Sequence, residues 1–106
     1  MANNFKNAKV DLTTTNITTL YTAPTATTAI FRSLLISNDS GSADTITLTL
    51  TNGSDVFSIY KTEQVGATST KELLTQPLVV QESEILKVTA ATADRLHVVG
   101  SYLEIT

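Results

Sequence analysis

An alternation of aliphatic residues and threonine in residues 44–51 constrains the fold of this chain more than any other feature of its sequence. Isoleucine or leucine occupies positions 46, 48 and 50, and threonine occupies the positions between them. Side chains alternate between the two faces of a β-strand, so this pattern predicts a strand with one face in the core and one polar face. Asn52-Gly53 follows, the dipeptide most typical of a two-residue hairpin turn, and residues 56–60 supply the returning strand.

Further strands are predicted where apolar and β-branched segments end at turn residues. They cover residues 17–22, 28–38, 71–75, 85–91 and 95–105, with residues 10–12 as a short strand at the start. No segment has the period of a helix. Seven or eight regularly spaced strands predict an all-β fold, namely a single antiparallel β-sandwich of the jelly-roll or immunoglobulin-like kind. Residues 1–8 are polar and lack a strand pattern, so we expect a flexible N-terminal arm followed by one domain over residues 9–106.

Composition limits the chemistry that a chain of 106 residues can carry. It has no cysteine and one histidine, which excludes disulfides, thiolate nucleophiles and cysteine-ligated zinc. The net charge is −3 and the seven basic residues are scattered, so we expect no nucleic-acid partner. The first ten residues contain no apolar segment, and the longest apolar segments fall far short of the ~20 residues that a membrane-spanning helix needs. We therefore expect neither a signal peptide nor a membrane partner.

The residues that could carry catalysis do not form a recognisable constellation in the sequence. His97 and Ser101 would lie on one face of a strand but about 13 Å apart, too far for a hydrogen bond. The loop at residues 39–44 lacks the ligand spacing of a calcium site, and Glu82 and Glu84 flank a predicted turn. We expect no enzymatic activity, no metal and no cofactor.

Two predicted strands are apolar on both faces, within residues 30–36 and 96–105. A β-bulge or burial at the centre of a sheet would explain this pattern, and so would an intersubunit surface; the sequence leaves both open. Phe5, beside Lys6 on an otherwise acidic chain, is a further candidate for contact with a neighbouring subunit, or for capping its own core. The candidate interface residues are Phe5, Lys6, Phe31, Leu35, Val99, Leu103 and Ile105.

Several stretches of the chain resemble a known family. They are ANNFKNA at 2–8, TLYTAP at 19–24, AI at 29–30, SLLISN at 33–38 and YLEIT at 102–106. With these motifs the chain resembles, from end to end in length and strand order, the small virion structural proteins of tailed bacteriophages, especially those that infect cyanobacteria and other aquatic bacteria. The resemblance implies a β-sandwich that serves as a capsid decoration (cement) protein or as a neck or tail component. Where relatives tend to have a Gly-Asp-like turn before the penultimate strand, this chain has Ser83-Glu84, whose turn chemistry is similar.

On this basis we expect a non-enzymatic structural protein of the virion, assembled in the host cytoplasm. The expected role is that of a capsid decoration protein that bridges and stabilises major capsid subunits, because a protein that binds only the assembled lattice stabilises it by mass action. Decoration proteins often lie at local three-fold positions, so the resemblance implies a homo-oligomer, with a trimer expected by analogy. The alternatives are a neck or tail-fibre adaptor and a surface module that binds a glycan or receptor.

Overall fold

The computed structural model describes residues 3–106, which form nine β-strands in two antiparallel sheets. The strands are β1 (Asn3–Asp11), β2 (Thr18–Thr22), β3 (Thr28–Asn38), β4 (Asp44–Asn52), β5 (Asp55–Val65), β6 (Thr70–Glu72), β7 (Leu78–Val80), β8 (Ile85–Ala90) and β9 (Leu96–Ile105). Sheet A has the order β1-β9-β3-β6, with β7 also paired to β3, and sheet B has the order β2-β8-β4-β5. The predicted all-β sandwich is confirmed, although it has nine strands rather than seven or eight. No helix long and apolar enough to cross a membrane occurs in this part of the chain.

Strands that are far apart in the sequence pair in a nested order. β1 pairs with β9, β2 with β8, β3 with β6 and β7, and β4 with β5, so the chain is one long hairpin bent into two sheets. Its turn is the predicted Asn52-Gly53 segment, where Gly53 takes the positive φ of 63° that a tight hairpin turn favours. Because β6 and β7 together act as one interrupted strand, this is the strand order of a jelly roll rather than of an immunoglobulin-like sandwich.

The predicted register of β4 is correct. Ile46 and Leu48 are fully buried, and Leu50 is partly buried. Thr47 and Thr49 between them are half-exposed on the outer face. The inward residues form one core with those of sheet A, in which the largest fully buried side chains are Phe31, Leu12, Leu34, Ile36, Ile46, Leu48, Leu73, Leu86, Leu96, Val65, Val80 and Val88.

Residues 3–8 belong to sheet A, so the predicted flexible arm over residues 1–8 is wrong for this part of the chain. β1 runs in unbroken antiparallel register with β9 over all nine of its residues, and it crosses the domain boundary that was expected at residue 9. The sequence lacks a strand signal here because β1 is an edge strand whose residues 3–7 are all exposed, so it needs no apolar alternation. Residues 1–2 lie outside the described residues.

A bulge in β3 accounts for part of the apolar pattern that residues 30–36 show on both faces of an ideal strand. The register with β9 shifts between Phe31 and Ser33, so Phe31 and Leu34 both point into the core although they are three residues apart. The carboxylate of Glu72 lies beside the bulge, where it accepts hydrogen bonds from Ser33 Oγ at 2.5 Å and from Leu34 N at 2.6 Å. The predicted bulge is therefore confirmed for β3, whereas Ile30 and Leu35 still project from the outer face of the sheet.

Three aromatic rings and one glycine form a close-packed part of the core. The ring centroids of Tyr21, Phe31 and Tyr102 lie between 4.6 and 5.3 Å apart. Gly100 faces the ring of Phe31, and a Cβ atom at position 100 would lie 2.9 Å from Phe31 Cε2 and 3.1 Å from Leu34 Cδ1. A larger residue at this position would clash with the Phe31 ring unless the ring moved. Protein interiors are close-packed and leave little room for such movement, so the substitution should strain the core.

Gly100→Ala is expected to lower the free energy of unfolding by about 1–3 kcal/mol, the usual cost of overpacking a core. The matched control is Gly41→Ala, because a Cβ atom at position 41 meets no other atom within 4 Å. The control should stay within about 0.5 kcal/mol of the wild type. Urea denaturation of both variants measures the difference, and equal stabilities would contradict the packing of Phe31 on Gly100.

Candidate functional site

Neighbouring strands of sheet A align four apolar side chains across its outer face. Strand pairing places Phe5 opposite Leu103, and Leu103 opposite Ile30. Ile30 in turn lies opposite Val79 of β7. Directly paired residues project from the same face of a sheet, so these four side chains form one line, here called the apolar row. Its two ends, Phe5 and Val79, are 77% and 47% exposed, whereas the two residues between them are half-buried.

More apolar residues flank the apolar row on the same face. Ile105 lies two residues beyond Leu103 along β9 and is half-buried. On the other side, beyond the polar position Ser101, Val99 lies opposite Leu35, and both are 40% exposed. The outer face of sheet A therefore offers apolar contact area across its whole width, a property of surfaces that bind other proteins.

The outer face of sheet B has a different chemical character. Its central positions on β4 and β8 are half-exposed and polar, namely Thr45, Thr47, Thr49, Lys87 and Thr89. Within residues 3–106, seven large apolar residues are exposed, and four of them lie on the outer face of sheet A. Of the other three, Ile17 precedes β2, Phe57 lies opposite Leu50, and Val56 lies opposite Thr51 at the hairpin end of the outer face of sheet B. Apolar exposure is thus concentrated on one side of the sandwich.

The residues predicted at an interface divide between the two faces of sheet A. Those that lie on the outer face are Phe5, Leu35, Val99, Leu103 and Ile105. The prediction of Phe31 as a surface residue is wrong, because the β3 bulge leaves its ring fully buried and stacked on Tyr102. Lys6 also lies opposite Tyr102, on the inner side of β1.

Two residues of the apolar row, Ile30 and Val79, were not among the predicted candidates. The outward position of Ile30 could not be predicted, because the sequence does not show where the bulge lies and therefore which of the neighbouring apolar residues points inward. Val79 lies in β7, a strand of only three residues that the sequence pattern did not identify. Val79 is placed in the apolar row only by the pairing of β7 with β3, and that pairing cannot be read from the sequence.

The carboxylate of Glu104 connects the two sheets behind the outer face of sheet A. It projects from the inner face of β9, and its side chain is 8% exposed. Tyr21 Oη of β2 donates a hydrogen bond to Glu104 Oε2 at 2.6 Å, and Lys6 Nζ of β1 lies 2.8 Å from Glu104 Oε1. Both carboxylate oxygens are occupied by protein donors, so the group has a structural role: it holds β1 and β2 against β9.

The charges around Glu104 stabilise its ionised form. The hydrogen bond from Lys6, and then that from Tyr21, lowers the pKa of Glu104 below its ordinary value of 4.5, although burial acts in the opposite direction. The same hydrogen bond and the negative charge of Glu104 raise the pKa of Lys6. Burial, followed by the bond to Glu104, raises the pKa of Tyr21. At neutral pH the site is an ion pair beside a neutral tyrosine, and no group in it has a pKa moved toward 7, as general acid–base catalysis would favour.

The residues considered for catalysis in the sequence are separated in the fold. His97 Nε2 lies 3.2 Å from Asp11 Oδ1 of β1, and both side chains are well exposed to solvent. Ser101 is four residues further along β9, with Val99 between them on the same face. Within residues 3–106, no group of three His, Asp or Glu side chains is placed to hold a metal ion.

Comparisons of the chain with protein-family models, with curated proteins and with solved structures found no match.

Acid is expected to destabilise the fold through Glu104 and Glu72. Burial raises the pKa of Glu72, but the hydrogen bonds from Ser33 and from the backbone of Leu34 and Leu74 together outweigh it and lower that pKa. A carboxyl group whose pKa is lower in the folded state stabilises the fold above its unfolded pKa. This stabilisation is lost as the pH falls from about 4.5 through the folded pKa.

Thermal unfolding between pH 6 and pH 2.5 measures this effect in the wild type and in two variants. Glu104→Gln keeps an acceptor for Tyr21 but has no charge to lose, so its midpoint should start lower and fall less over this range. Asp39→Asn, which removes an exposed carboxylate, is the control and should follow the wild type. A Glu104→Gln midpoint that fell as steeply as that of the wild type would contradict the assigned role of Glu104.

Proposed function

We propose that this chain is a non-enzymatic structural protein of a tailed-bacteriophage virion, and that it acts as a capsid decoration protein that bridges major capsid subunits. The observation that carries the proposal is the outer face of sheet A, with the apolar row at its centre. A partner protein that covered this face would remove its apolar side chains from water, which is the main favourable term in most protein–protein association.

The chemical difference between the two outer faces supports a role in attachment to a larger surface. The outer face of sheet A carries most of the exposed large apolar residues and suits contact, whereas the centre of the outer face of sheet B carries threonine and lysine and suits solvent. A small protein with this arrangement adds itself to an assembled lattice without needing a catalytic group. If it binds the lattice and not the free subunits, it stabilises the lattice by mass action.

The position of the phage-like segments in the fold also supports the proposal. Those at residues 2–8, 29–30, 33–38 and 102–106 fall largely in β1, β3 and β9, which are neighbours in sheet A and supply most of its outer face, whereas the segment at 19–24 begins in β2 of sheet B. The jelly-roll strand order is used by viral capsid domains and by lectins, but a fold alone does not assign a function. The support therefore comes from the surface, and the fold agrees with it.

A neck or tail-fibre adaptor would use the same apolar face, so copy number separates the two roles. Quantitative mass spectrometry of purified virions should give a number of copies comparable with that of the major capsid protein. A few copies per particle would replace the decoration role by that of an adaptor or a receptor-binding module. Absence from the particle would contradict a role in the virion.

Quantitative mass spectrometry also tests the binding face: purified variants are added to particles that lack the protein, and the bound copies are counted. Val79→Asn changes the exposed end of the apolar row and should weaken particle binding by about tenfold, the effect of losing part of one buried valine side chain. Thr49→Asn on the outer face of sheet B is the matched control and should bind as the wild type does. Equal binding by the two variants would contradict the assignment of the binding face.

A further inference from the structure

The edge strands of the two sheets are not equally protected against pairing with another chain. Free edges expose unpaired N–H and C=O groups, and proteins usually protect them by bulges, short strands or proline. The pairing of β2 shifts between Thr19 and Tyr21, and the pairing of β5 with β4 shifts twice. β6 and β7 have three residues each and are separated by a segment that contains Pro77. Among the edges in residues 3–106, only β1 is long and regular, with nine residues in continuous register.

One backbone hydrogen bond shows which groups of β1 face this free edge. Leu12 N donates to Leu96 O at 3.0 Å, one register step beyond the last pair of β1 and β9. Neighbouring residues of a strand direct their N–H and C=O groups to opposite sides, so the even-numbered residues of β1 face β9. The odd-numbered residues Asn3, Phe5, Asn7 and Lys9 therefore direct their backbone groups to the free edge.

We infer that β1 pairs with β1 of a second copy of this chain, antiparallel, across a two-fold axis at Asn7. The contact joins two copies of sheet A into one continuous sheet, and a two-fold contact of this kind is self-complementary by symmetry. The dimer gives a specific form to the homo-oligomer expected under the proposed function. Only its use at a capsid rests on that function. It differs from the trimer expected by analogy.

The charges of β1 select this axis over the other positions that direct backbone groups outward. With the axis at Asn7, Phe5 lies opposite Lys9 of the second copy, an arrangement that favours a cation–π contact. Asn3 then lies opposite Asp11 of the second copy, so no like charges meet. An axis at Lys9 would place two lysines opposite each other, which is destabilising, and an axis at Phe5 would pair fewer described residues.

Lys6 does not oppose this pairing, although a charge on the inner side of an edge strand often protects the edge. Its ammonium already lies 2.8 Å from the carboxylate of Glu104, so the charge is compensated within its own subunit. In the Asn7 register it lies opposite Ala8 of the second copy and meets no other cation. Pairing would also cover the side chain of Phe5, the most exposed of the large apolar residues in the described chain. Beyond Phe5, the same line across the joined sheets would continue through Lys9 and then Val99 of the second copy.

Sedimentation velocity of the purified wild type over a range of concentrations tests the inference without any phage particle. The expected result is a monomer–dimer equilibrium. Asn7→Pro removes the N–H group at the axis, and proline is tolerated in an edge strand when its missing N–H faces away from the sheet. It should weaken the dimer by about tenfold or more, because one hydrogen bond is lost from each subunit. Asn7→Ala keeps the N–H group and should dimerise as the wild type does.

A second pair of variants tests the register and does not depend on tolerance of proline. Phe5→Lys places a lysine opposite Lys9 of the second copy at both symmetry-related positions. The repulsion should give a folded monomer. Phe5→Lys combined with Lys9→Glu restores opposite charges and should restore the dimer. A wild type that stays monomeric or forms a trimer, or a Phe5→Lys variant that dimerises as the wild type does, would overturn the inference. These outcomes leave the virion proposal standing, because that proposal is tested by copy number in particles.

Discussion

The buried carboxylate of Glu104 is the contact on which the arrangement of both sheets depends. Tyr21 of sheet B and Lys6 of the edge strand both bind it, so one side chain of β9 links the two sheets and ties β1 to β9 beyond their backbone pairing. Loss of either donor would leave a buried charge less well compensated, which is costly in a protein interior. The position of Phe5 and the orientation of the free edge both follow from the placement of β1.

The nested strand order brings the outward apolar residues of two distant strands together at the centre of sheet A. β9 and β3 lie side by side in the middle of sheet A; β9 alternates between core and outward residues, and β3 does so on either side of its bulge. Their outward residues include Leu103, Ile30, Val99 and Leu35, where an isolated sandwich would carry polar groups as β4 does on the opposite sheet. The core does not need these residues, so their apolar character points to a contact outside the subunit.

The part of the fold with local signals was predictable from the sequence, and the part that depends on distant contacts was not. The hairpin at residues 44–60 has an alternating strand and an Asn-Gly turn within a few residues of each other. The inward position of Phe31 depends on a bulge at which Ser33 and Leu34 donate hydrogen bonds to the carboxylate of Glu72, which lies 38 residues beyond Leu34. Individual outer-face residues of β9 were identified by alternation, whereas the apolar row needs the pairing of four strands and the unrecognised Val79. Edge strand β1 gave no apolar pattern because both of its faces meet solvent over most of its length.

The central claim is that the outer face of sheet A is the surface that binds other proteins in the particle. Hydroxyl-radical footprinting of the free and the particle-bound protein tests it most directly, because oxidation reports the solvent exposure of individual side chains. Val79 and Leu35 on the outer face of sheet A are 47% and 40% exposed, and Phe57, which lies off this face, is 55% exposed. None of the three belongs to β1, so pairing of two copies through β1 does not involve them. Binding to the particle should protect Val79 and Leu35 from oxidation and leave Phe57 as reactive as before. Protection of Phe57 with unchanged oxidation of Val79 and Leu35 would contradict the claim.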